Sequence, residues 1–95
     1  MSRATNNQYV SDYVSPPGET LSETLEIRGI SQAELAERTG IAAKMINEII
    51  EGKARITSQI ALELERVLGV PAGFWNTRES RYQEYLARKD EREKL

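Results

Sequence analysis

Three side chains in the stretch AKMINEIIEGKAR, residues 43–55, could hydrogen-bond to the edges of nucleic-acid bases. Lys44 can donate to guanine O6 and N7, Asn47 can pair an adenine edge bidentately, and Glu48 can accept from cytosine N4. Ala43 could offer only a methyl contact to thymine, while Lys53 and Arg55 add two cations of the kind that meet phosphates. Glu48 and Glu51 stand among these cations, so the chemistry works only if the acids do not face the phosphates.

Composition removes most other chemistries. The 95 residues include no cysteine and no histidine, which excludes disulfides, thiol nucleophiles, Cys/His zinc sites and imidazole bases. Carboxylates are plentiful, but they lie at i, i+4 spacing with Lys and Arg, as in RESRYQEYLARKDEREK, the pattern of a solvated helix face. No Gly-rich phosphate loop, metal-ligand set or nucleophile–base pair is present, so neither catalysis nor a cofactor is expected. No apolar run reaches the roughly eighteen residues of a membrane span. The opening MSRATNNQYV lacks a secretory pattern, so a cytoplasmic protein is expected.

Charge is less simple. Thirteen basic and fifteen acidic residues give a net of −2, where a nucleic-acid-binding domain is usually basic. Residues 1–27 set one Arg against Asp12, Glu19, Glu23 and Glu26, whereas residues 28–55 carry five basic and four acidic groups. The middle of the chain therefore permits an anion-binding face.

The length fits one small domain. Residues 1–15 are polar and non-periodic, and read as a flexible N-terminal arm. Pro17 suits the first position of a helix over about 17–28, with Leu21 and Leu25 inward and Gly29 after it. Ser31 followed by Glu34 predicts a capping box for a second helix that buries Leu35 and Ala36 and stops at Gly40. A third helix over roughly 42–51 turns Ile46, Ile49 and Ile50 inward. Thr57 caps a fourth over about 58–68, with Ile60, Ala61, Leu64, Val67 and Leu68 on its apolar face. From Phe74 a charged segment carries Trp75, Tyr82, Tyr85 and Leu86 at helical spacing. The pattern is all-α with five helices: a flexible arm over 1–15, a helical domain over 16–75, and a longer, partly solvated C-terminal helix over 76–95.

The second and third helices, joined by a short turn opening at Gly40, have the spacing of a helix-turn-helix, in which the second helix enters the major groove. An ordinary αα-hairpin has the same spacing. Resemblance separates the two. SQAELAERTGI…INEIIEGK resembles the phage-repressor-like (XRE-type) helix-turn-helix family, whose Q-x-x-x-A and I-x-x-x-x-x-G-K patterns fall here on Gln32/Ala36 and Ile46/Gly52/Lys53. PPGETLSETLEIRGISQAELAERTG, GKARIT…ALELERVLGVPAGFW and the aromatic tail resemble, more narrowly, the HigA-type antitoxins over roughly residues 16–86.

That resemblance implies a lambda-repressor-like five-helix fold that binds double-stranded operator DNA. It implies that Gln32 meets a phosphate or braces the recognition helix, and that Ala43, Lys44, Asn47 and Glu48 face the groove. Lys53 and Arg55 would contact phosphates, with Arg38 a further candidate. Ala43 departs from the longer polar residues common at its position. The resemblance further implies repression of the protein's own operon and neutralisation of a cognate toxin, typically an mRNA-cleaving ribonuclease. The acidic arm, with Asp12 and nearby Glu19, is one candidate for the toxin contact.

So few cations per chain call for a dimer on DNA. Tyr82, Tyr85 and Leu86 are expected to form its symmetric interface, and Phe74 and Trp75 to pack within one protomer. Met45 and Leu62 are alternative partner contacts. Two rival readings stay open: the N-terminal module of a metallopeptidase-linked regulator, and a helix-turn-helix fold used only for protein contacts.

Overall fold

The computed structural model describes residues 13–94, which form five α-helices and, among those residues, no strand. α1 spans Pro17–Arg28, α2 Gln32–Thr39, α3 Ala43–Ile50, α4 Ser58–Leu68 and α5 Ala72–Lys94. The helix ends follow local chemistry. Ser31 Oγ accepts from the Glu34 amide at 3.0 Å, and Thr57 Oγ1 accepts from the Ile60 amide at 3.2 Å. The capping box at Ser31 is only half made, because the Glu34 carboxylate lies 3.5 Å from Arg38 Nη1 instead.

α1 packs on α3 and α5, α2 on α3 and α4, and α4 on α5. At their centre Leu21, Leu25, Leu35, Ile46, Ile49, Ile56, Ala61, Leu64, Leu68 and Trp75 are buried. Burial of each large member contributes roughly 1.5–3 kcal/mol. Ala36, Ile41, Ile50, Ile60 and Val67 are half-buried against this core. Gly18 allows a close approach of helices: a Cβ there would stand 1.9 Å from the Ile49 carbonyl oxygen. α1 and α3 therefore meet backbone to backbone.

Trp75 is fully buried, whereas Phe74, expected with it to pack within one protomer, is 42% exposed. Successive helical residues are turned by about 100° from one another, so one α5 face cannot bury both. Phe74 instead sets its ring edge-on to Trp75 at 5.2 Å, beneath the Arg78 guanidinium at 5.8 Å. The helix runs without a break through residues 75 and 76, and from Leu86 to Lys94 it is exposed.

Most of the arm, residues 1–12, lies outside the described residues. The rest of it departs from a free tail. Tyr13 packs edge-on against Tyr85 at 5.7 Å, and Ser15 Oγ accepts from Arg78 Nη2 at 3.1 Å. Among the described residues no helix is long and apolar enough to cross a membrane.

Candidate nucleic-acid interface

The turn between α2 and α3 occupies residues 40–42. Gly40 takes φ 79°, a conformation costly for residues with a Cβ, and its amide bonds to the Ala36 carbonyl at 2.9 Å. Thr39, buried, locks the same turn from within. Its hydroxyl donates to the Leu35 carbonyl at 2.7 Å and accepts from the Ile41 amide at 3.2 Å. Ile46 and Ile49 then hold one side of α3 in the core.

The opposite side is open. Ala43, Lys44 and Asn47 are exposed and Glu48 is half-buried. Their spacing gathers them on one face, since residues three and four apart neighbour each other on a helix. Ala42 precedes α3 without a side-chain cap, unlike Ser31 before α2 and Thr57 before α4. The first-turn amides of α3 thus lack the capping side chain that the other two helices possess. Gln32, the first residue of α2, is exposed as well.

Lys53 and Arg55 are exposed in the loop that follows α3. That loop is tied down at both ends. The Glu48 carbonyl accepts from the Lys53 amide at 2.7 Å and the Ala54 amide at 3.2 Å. At the far end the Ile56 amide donates to Glu79 Oε1 at 2.8 Å. Glu51 belongs to Lys53, whose Nζ lies 3.3 Å from its carboxylate. Arg38 faces Glu34, so its charge is partly spoken for within the chain.

Glu79 is the residue that sequence reasoning missed. Its place in the charged stretch RESRYQEYLARKDEREK sets it among the solvated carboxylates, yet it is only 9% exposed and serves two donors, the Ile56 amide and, at 2.6 Å, Gln83 Nε2. Its position one helical turn from Trp75, on the buried face of α5, was the available signal.

Tyr82 and Tyr85 are half-buried with their rings stacked at 6.3 Å, and Leu86 beside them is 37% exposed. They lie on α5, a separate element from the Lys44–Asn47 face. Met45 and Leu62 are exposed single apolar residues.

Residues 21–75 match the helix-turn-helix family over more than half of the chain. The chain belongs to that family. Within it, this helix-turn-helix protein is of the phage-repressor-like kind. It is 44% identical over 52 residues to repressor protein C of Rhizobium phage 16-3, a match covering 55% of this chain but only 19% of the phage protein. It is 35% identical over 75 residues to virulence-associated protein I of Dichelobacter nodosus, covering 78% of this chain and 69% of that one. The solved structure of Pseudomonas aeruginosa antitoxin HigA with the higBA promoter superposes with a TM-score of 0.81 at 29% identity, covering 86% of this chain and 90% of that one. The expected likeness to HigA-type antitoxins is thus found in the fold.

Proposed function

We propose that this helix-turn-helix protein is a dimeric transcriptional repressor that binds the operator of its own operon, and that it is a HigA-type antitoxin neutralising a cytoplasmic, mRNA-cleaving toxin. The observation that carries the DNA reading is the open side of α3. Ala43, Lys44 and Asn47 are left exposed by a helix whose other side is fixed in the core. A surface helix held this rigidly, with a donor cation, an amide and a carboxylate in sequence, suits the major groove. The likeness to an antitoxin solved with its promoter supports the same reading.

In this reading Lys44 and Asn47 read base edges, with Glu48 beside them. Lys53, Arg55 and the α2 residue Gln32 fix the register on the phosphates. Glu51 sits next to Lys53 and partly offsets its charge, so the phosphate contribution of one protomer is small. Each neutralised phosphate steepens the log–log salt dependence by about 0.9, and two protomers double the count. Dimerisation through Tyr82, Tyr85 and Leu86 would set two recognition helices about 34 Å apart on a palindromic site.

The test is a titration of the promoter fragment upstream of the reading frame against a scrambled fragment, at low and near-physiological salt. Sequence preference that persists as salt weakens total binding supports operator recognition. Absence of binding at both concentrations leaves a fold used for protein contacts. Rescue of growth when the neighbouring reading frame is co-expressed tests the antitoxin role separately.

A further inference from the structure

We infer that Glu79 of α5 is a positioning residue for DNA binding, acting through the loop that carries Lys53 and Arg55; the inference rests on the operator-binding reading given above. The loop has two attachments. Its start hangs from α3, where the Glu48 carbonyl receives the Lys53 and Ala54 amides. Its end is held from outside the helix-turn-helix, by the carboxylate of Glu79 on the Ile56 amide at 2.8 Å. Ile56 is itself 3% exposed, so its amide has no solvent to replace that acceptor. Arg55 directly precedes Ile56, so the peptide that joins them carries this bond.

The carboxylate is in turn fixed by its second oxygen, which accepts from Gln83 Nε2 at 2.6 Å. One end of Glu79 is thus clamped along α5 and the other reaches across to the loop. Arg55, Glu79 and Gln83 line the same open surface pocket of about 450 Å³, together with Ile56, Thr57 and Asn76. An acid this close to a phosphate-binding cation would be a poor neighbour for DNA if its charge were free. Its burial and its two donors explain why it can sit there.

The chemistry separates two substitutions. In Glu79→Gln the amide oxygen can still accept from the Ile56 amide, and Gln83 can turn its own carbonyl toward the new NH2 group. In Glu79→Leu the Ile56 amide loses its acceptor while the volume is nearly kept. Promoter titrations across several salt concentrations, corrected for the fraction of active protein, are combined with amide exchange at Ile56. Glu79→Gln is expected to match wild type. Glu79→Leu is expected to bind about tenfold more weakly, with a salt slope shallower by about one per protomer and rapid exchange at Ile56.

Glu79→Leu with full exchange protection, or with unchanged slope and affinity per active molecule, overturns the inference, because a purely structural role would lower only the active fraction. If Glu79→Leu does not fold, Glu79→Asp decides. It keeps the charge but withdraws the carboxylate from the Ile56 amide by one methylene, and an unchanged slope with unchanged Ile56 exchange again overturns the inference. A wild-type protein that does not bind the promoter at all would instead sink the operator reading, whatever Ile56 does.

Discussion

The Cα of Gly18, in the first turn of α1, lies so close to the Ile49 carbonyl oxygen that a Cβ there would stand 1.9 Å from it and 2.8 Å from Ile50 Cα. The atoms in the way are backbone, which no rotamer change can clear. Gly18→Ala must therefore push α1 away from the end of α3. Overpacking in a core typically costs 1–3 kcal/mol, and a backbone obstacle puts this variant at about 3 kcal/mol or above. For a domain of this size, that lowers Tm by roughly 12–24 °C. Gly73→Ala is the control: a Cβ at Gly73 meets nothing within 4 Å, and the change should be neutral or stabilise by up to about 1 kcal/mol. Thermal melts of both variants check the contrast.

Asn47→Ala addresses the reading face. Asn47 is exposed on α3, so its truncation should leave the unfolding free energy within about 0.5 kcal/mol of wild type. Its amide is the group suited to a bidentate adenine contact, and its loss should cost about 1–3 kcal/mol at one base step. The measurement is binding to a set of operators each altered at one position. A flat loss across all of them would mean that Asn47 does not touch a base.

Much of this was legible because it is local. The helix boundaries rest on Pro17, Ser31, Gly40 and Thr57, whose effects reach only a few residues, and the core stripes rest on period alone. What failed to show in the sequence depends on long separations. Nothing near Gly18 says that it will meet Ile49, thirty-one positions later, and nothing near Glu79 names the Ile56 amide. Phe74 and Trp75 are two equally apolar neighbours, and only the docking of α5 on α1 and α4 decides which of them goes inside. The candidate groove residues rest on resemblance; Ala43, Lys44 and Asn47 among them are exposed, and Glu48 is half-buried.

Lys53 and Glu51 form a test of the phosphate assignment. Their side chains pair at 3.3 Å but remain largely exposed, so the pair is worth little to stability. Lys53→Ala should weaken binding to every sequence alike and flatten the salt slope by about 0.9 per protomer. Glu51→Gln should do the reverse in small measure, strengthening binding by a few-fold at low salt, because Lys53 then has no competing carboxylate. Parallel salt titrations of the two variants and the double variant check the signs. If Glu51→Gln still strengthens binding when Lys53 is absent, the acid acts on the DNA directly.

Leu86 and Tyr85 distinguish a dimer contact from a contact within one protomer. Tyr85 is held by two rings of its own chain, Tyr13 edge-on at 5.7 Å and Tyr82 stacked at 6.3 Å, so Tyr85→Ala should lower Tm whether or not the protein dimerises. Leu86 is 37% exposed and begins the stretch of α5 that solvent surrounds. Leu86→Glu should therefore cost the isolated protomer little. At the centre of a symmetric interface, however, it would bring two like charges into a desolvated contact. A loss of about 2 kcal/mol or more there raises the dimer dissociation constant roughly 30-fold. Sedimentation across a concentration series measures it directly. The same variant should also lose affinity for a two-half-site operator while keeping its affinity for a single half-site, because only the coupling between protomers has been removed. Unchanged sedimentation would leave the Tyr82–Tyr85–Leu86 surface to a different partner and require the two recognition helices to be paired by some other face.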